Sequence, residues 1–124
     1  MDRLERMFQL RQDFMDDLSK KVPNAYPSKP LDLKNKQTQQ HFRDLALRGV
    51  EEIFEAIQEL RNSKPHRQTE ITEPVDVEAF KEEMVDAFNF FFTLLILMEV
   101  DAETLFQAYV RKDKIIHDRL NNGY

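Results

Sequence analysis

Apolar residues recur at helical spacing in four blocks along the chain. In the first, Leu4, Met7, Leu10, Phe14, Leu18 and Val22 follow one another by three or four positions, which predicts an amphipathic helix from about Asp2 to Val22. Pro23, Pro27 and Pro30 then interrupt any helix and give a semi-rigid connection. A second periodic set, Phe42, Leu45, Ala46, Ile53, Ala56, Ile57 and Leu60, predicts a helix from about Thr38 to Asn62. The stretch bounded by Pro65 and Pro74 reads as a surface loop. The third block runs from Val77 to Val100 and is apolar on nearly every side from Phe88 to Met98, the pattern of a helix that other helices surround. Asp101 stands where an N-cap belongs for a fourth helix, which extends to Leu120 before Asn121, Asn122 and Gly123 stop it.

Four helices with short-to-medium connections imply an all-α fold, an antiparallel four-helix bundle, in a single domain spanning residues 1–124. Composition agrees: 33% charged residues, only two Gly and no Cys suit a helix-rich protein without a disulfide framework, thiol nucleophile or thiolate metal site. The formal charge of −5 argues against a nucleic-acid partner, which calls for a basic stripe. The longest apolar run is too short to span a bilayer, where about 20 residues are needed, so no membrane partner is expected. The first ten residues lack the charged-then-apolar layout of a secretion signal. The expected location is therefore cytoplasmic.

A polar stripe crosses the apolar third helix. At about 100° per residue, Glu83, Asp86, Asn89 and Thr93 fall within an arc of roughly 120°, which aims two carboxylates at an interior. On the second helix, Glu52 and Glu55 share a face, with Glu51 and Glu59 beside them. Taken singly, each set is ordinary solvated helix surface. Taken together, Glu52-x-x-Glu55 and Glu83-x-x-Asp86 would crowd four carboxylates into one cleft, at about 3 kcal/mol for each pair roughly 5 Å apart. A cation must offset that repulsion. Oxygen-only ligands select a hard divalent ion, Mg²⁺ or Mn²⁺ in its place, and Mg²⁺ commonly binds beside substrate phosphates. The fourth helix carries the complementary charge, with Lys112 and Arg119 on one face where they could meet phosphate oxygens.

These motifs resemble those of the all-α nucleoside triphosphate pyrophosphohydrolases, the superfamily of MazG and the dimeric dUTPases. The spacing EExxE then ExxD, Glu51-Glu52-Ile53-Phe54-Glu55 and Glu83-Met84-Val85-Asp86, carries the likeness. The C-terminal third is similar to the tailed-phage dCTPase/dUTPase group, with Tyr109, Lys112, Arg119, Gly123 and Tyr124 in family positions. The likeness covers about Phe42 to Tyr124. It implies that Glu52, Glu55, Glu83 and Asp86 bind Mg²⁺, that Glu52 or Glu55 also orients the attacking water, and that Lys112 and Arg119 hold phosphates. The implied reaction is cleavage of the α–β phosphoanhydride of dUTP or dCTP to a monophosphate and pyrophosphate, in nucleotide-pool control. A homodimer or dimer of dimers is also implied, in a host cytoplasm if the chain is phage-encoded. The ten Phe point the same way, because a small bundle covers so much apolar surface poorly by itself.

The chain departs from the family pattern where the base would be chosen. Asp113, Ile116 and Leu120 replace two asparagines and a glutamine, and Asn89 stands where relatives often have histidine. Aligning the first helix on its apolar positions puts Arg11 and Met15 where relatives often carry amides that read a pyrimidine, while Gln9 and Gln12 point elsewhere. The substrate-binding set is accordingly Arg11, Asn89 and Tyr109. Arginine can pair with the O6/N7 edge of guanine, so a purine such as dGTP is the alternative substrate. A non-enzymatic helical interaction module, with its acids as surface decoration, is the alternative outside the enzyme class.

Overall fold

Every helix of the protein begins on an Asp or Asn whose side chain caps it. In the computed structural model, which describes residues 1–123, Asp2 caps α1 (Arg3–Lys21) and Asn35 caps α2 (Lys36–Gln58). Asp76 caps α3 (Val77–Leu97), and Asp101 caps α4 (Ala102–Asn122). In each case the side chain accepts a bond from the amide three residues on, satisfying a donor the helix cannot use itself. At Asp101 the bond is reciprocated, since the Thr104 hydroxyl meets the Asp101 amide at 3.1 Å. Tyr124, the last residue of the family-like terminal motif, lies outside the described residues.

The chain is all-helical, with no strand among the described residues. Three boundaries of the second and third helices differ from the apolar pattern for local reasons. The second helix starts at Lys36, because Asn35 supplies the cap and a wholly polar first turn leaves no periodic mark. It ends at Gln58, where the Leu60 and Arg61 amides tighten onto carbonyls three residues back and Arg61 turns left-handed at φ 72°. The third ends at Leu97, closed by a bond from the Val100 amide to the Leu95 carbonyl with Glu99 left-handed at φ 60°.

Packing follows from two apolar clusters. Phe8, Phe92 and Ala102 join α1, α3 and the first turn of α4, with the Phe8 and Phe92 rings 4.9 Å apart. Met15, Leu45 and Leu97 join α1, α2 and α3, with Tyr26 and Leu31 of the first connection laid against them. Phe8 meets Phe92 and Arg11 bonds to Thr93, so α1 lies against the C-terminal half of α3. The approach of Gly49 to Phe90 and Phe91, and of Glu52 to Glu83, makes α2 antiparallel to α3. Gly49 is buried, and a Cβ there would lie 3.2 Å from Cε1 of Phe91, so its bare backbone is what lets α2 and α3 close.

The fourth helix departs from a closed bundle. Its first turns pack against α1, but every described residue beyond Ala108 is exposed. Tyr109 is 71% and Leu120 65% exposed. The third helix is also less enclosed than its composition implies: Val85, Phe88 and Met98 are exposed, because α1 and α2 cover only part of its circumference. Phe54, at 63% exposure on α2, adds to the uncovered apolar surface. Among the described residues no helix is long and apolar enough to cross a membrane.

Candidate functional site

A cavity of about 660 Å³ lies over α3, with α1 and α2 as its walls and the first connection closing one end. Its residues follow from helical periodicity. Asp86, Asn89, Phe90 and Thr93 form one stripe of α3, while His41, Asp44, Leu45, Arg48 and Glu52 form one stripe of α2. Arg11, Phe14 and Leu18 come from α1, and Asn24, Ala25 and Tyr26 from the connection.

The outer end is acidic. One carboxylate oxygen from each of Glu52, Glu55 and Glu83 can be chosen so that all three lie within 4.8 Å of one another. Asp86 lies close enough to raise the pKa of both Glu52 and Glu83. These groups are not buried as the apolar setting of α3 suggests: Glu55 and Asp86 are exposed and Glu52 and Glu83 half-buried. The polar stripe instead emerges from the core, running from Thr93, which is fully buried, to Asp86 and Glu83 at the mouth, where α1 no longer covers α3. Partial desolvation, then hydrogen bonding and charge repulsion with Glu55, hold Glu52 above the ordinary glutamate value of 4.5. Glu83 is raised first by desolvation and then by the charges of Glu55, Asp86 and Glu59.

Two acids elsewhere on the surface pair closely with cations: Glu73 meets Arg61 at 2.9 Å and Glu78 meets Lys81 at 2.8 Å. Among the described residues no lysine or arginine forms an ion pair with Glu52, Glu55, Glu83 or Asp86. The donor set fits a hard cation. Ligand oxygens around octahedral Mg²⁺ stand about 3–4 Å apart, given bonds of about 2.1 Å, so small side-chain rotations would bring the three glutamates from their present spacing onto one ion.

The inner end is built differently. Arg11 donates from Nε to Thr93 Oγ1 at 2.9 Å, and the Thr93 hydroxyl donates in turn to the Asn89 carbonyl at 2.8 Å. The Arg11 guanidinium stacks on Phe14, 4.5 Å from the ring centroid. Burial lowers its pKa, with nearby Tyr26 opposing. Burial raises that of Tyr26, which packs edge-on to His41 at 6.4 Å. Among the described residues the Nε2 atom of His41 is buried without a hydrogen-bond partner. Gln9 and Gln12 lie outside the cavity and bond to Asp13 and Asp16 on their own helix.

The structure thus brings Arg11, Asn89, Glu52 and Asp86 to one cavity and gathers Glu55 and Glu83 at its mouth. Tyr109, Lys112 and Arg119 lie on the exposed part of α4 and do not line the cavity of their own chain. Sequence reasoning missed His41, Asp44 and Arg48, although their spacing ahead of Glu52 extends the same helical stripe. It also missed Tyr26, which reaches the site from a connection with no periodicity to read. No family model, curated protein or solved structure matches the chain.

Proposed function

We propose that this protein is a Mg²⁺-dependent deoxynucleoside triphosphate pyrophosphohydrolase that cleaves the α–β phosphoanhydride to a deoxynucleoside monophosphate and pyrophosphate. The observation that carries the reading is the convergence of Glu52, Glu55 and Glu83, none of them in an ion pair among the described residues, at the mouth of a cavity large enough for a nucleotide. From Asp86 to Thr93 α3 rises about 10 Å, a span that lets the phosphates sit at the acids while the base sits at Arg11. The ExxE and ExxD spacing and its resemblance to the all-α pyrophosphohydrolases supply the reaction class.

In this reading Glu52, Glu55, Glu83 and Asp86 hold the ion. Bound Mg²⁺ supplies charge neutralisation for the phosphates and a lowered pKa for water. Glu52 lines the cavity whereas Glu55 is exposed outside it, so Glu52 is the better placed to accept the proton of the attacking water. Water adds across the α–β bridge, the bridging P–O bond breaks, and the electron pair leaves with pyrophosphate. The inner wall would seat the base against Arg11, Phe14 and Tyr26, at a set distance from the acids.

Lys112 and Arg119 complete the site from a second copy. Their own helix leaves the body after Ala108 with Tyr109, Ile116 and Leu120 uncovered, and Phe54, Val85 and Phe88 are uncovered on α2 and α3. A homodimer that buries these surfaces would carry the two cations towards a partner's phosphates.

Incubation with each dNTP, with Mg²⁺ and with excess EDTA, tests the reaction. Monophosphate and pyrophosphate should form in a one-to-one ratio only with metal. Orthophosphate as first product, or turnover that survives chelation, would refute the assignment.

A further inference from the structure

The inner end of the cavity holds a polar device that metal chemistry does not use. Thr93 is completely buried in an otherwise apolar stretch of α3, and its hydroxyl proton is committed to the Asn89 carbonyl. That leaves an oxygen lone pair for Arg11 Nε. Tied through Nε and stacked on Phe14, the guanidinium has its plane set from two directions. Its terminal Nη1 and Nη2 groups have no hydrogen-bond partner among the described residues, and Arg11 lines the cavity. A second unpartnered polar atom, His41 Nε2, belongs to the same cavity wall. An arginine with Nε engaged presents two parallel N–H donors and no acceptor.

We propose that Arg11 reads a nucleobase with two neighbouring hydrogen-bond acceptors, cytosine or guanine, and that Thr93 positions it to do so; the proposal rests on the nucleotide reading of this cavity. Cytosine offers O2 beside N3, and guanine offers O6 beside N7. Uracil and thymine interpose an N–H between their two carbonyls, and adenine sets an amino group beside both N1 and N7. On these three bases one N–H of Arg11 would face another N–H. Of the two pyrimidines raised by the family resemblance, cytosine is kept and uracil rejected. Arg11 is the specificity-determining residue, and Thr93 acts through it.

Calorimetry with the α,β-imido analogues of the five common dNTPs in the presence of Mg²⁺ tests this. These analogues resist α–β cleavage, so they report base reading even if the hydrolysis assay shows that the proposed reaction is wrong. The dCTP or dGTP analogue should bind at least roughly tenfold more tightly than those of dUTP, dTTP and dATP, and whichever leads assigns the base. Arg11→Gln and Arg11→Lys should both collapse that ratio, the lysine because a point charge lacks the fork. Thr93→Val should lower the ratio, whereas Thr93→Ser, which keeps the hydroxyl, should restore it; a purely structural role would leave the ratio unmoved. Tighter binding of the dUTP or dATP analogue, equal binding of all five, no binding at all, or an unchanged ratio in Arg11→Gln would overturn the proposal.

Discussion

The two ends of the cavity solve opposite electrostatic problems with similar helical material. At the inner end the groups that hold position are matched: Thr93 both donates and accepts, and Arg11 is anchored through Nε and stacked, with its Nη groups and His41 Nε2 left for a ligand. At the outer end like charges meet, two of them with raised pKa, and among the described residues no lysine or arginine forms an ion pair with them. An end that is satisfied in the free protein is pre-organised, and it contributes to stability. An end that is unsatisfied stores repulsion that a ligand relieves, and it contributes to binding. The same substitution logic should therefore give opposite stability effects at the two ends.

The largest expected effect comes from removing a charge at the outer end. Glu52→Gln should lower pyrophosphate release by about 10²–10⁴-fold, the range for losing a positioned base, and should raise the melting temperature of the metal-free protein by relieving repulsion. A fall in both activity and metal-free stability would show that the glutamate is structural. Next, Gly49→Leu drives a side chain into Phe90 and Phe91 and wedges α2 from α3. Overpacking of this kind costs about 1–3 kcal/mol, and calorimetric unfolding together with lost metal binding should register it.

At the inner end, Thr93→Val leaves the half-buried Arg11 Nε unpaired, with an expected loss of about 1–3 kcal/mol in a denaturant titration. Stability unchanged by that substitution would mean the inner network is not the stabilising half.

The pH dependence of the metal-free protein separates the ends again. Glu52 and Glu83 bind protons more tightly folded than unfolded. Their contribution favours the fold most below the ordinary value of 4.5 and is lost as pH rises through their raised values. Melting temperature should thus climb on acidification from neutrality, less so in a Glu52→Gln, Glu83→Gln double variant, and Mg²⁺ should cancel the trend at neutral pH. The smallest effect belongs outside the cavity. Glu99 holds φ 60° at the end of α3, and Glu99→Gly should add a few tenths to about 1 kcal/mol of stability without altering activity.

The contrast between the ends also marks how far the sequence could be read. The acid pairs were legible because three-residue spacing on a helix fixes a shared face, and the helices themselves because Leu4 to Val22 and Phe42 to Leu60 keep a 3.6-residue period. How open the acidic end is was not legible, since periodicity gives a face but not whether a neighbouring helix continues over it. The exit of α4 from the body is hidden for the same reason: its apolar positions look like core until packing shows nothing opposite them. The inner network joins residues 82 positions apart, Arg11 and Thr93. A lone Thr in an apolar helix and an Arg on an amphipathic one give no hint of each other until the chain is folded.

The most direct test of the account is Mn²⁺ uptake followed by electron paramagnetic resonance, with Mn²⁺ standing in for Mg²⁺ at an all-oxygen site. Saturable binding that Mg²⁺ displaces and that Glu52→Gln and Glu83→Gln each weaken is the predicted result. Uptake indistinguishable between the natural protein and both variants would contradict it, leaving the glutamates as ordinary helix surface.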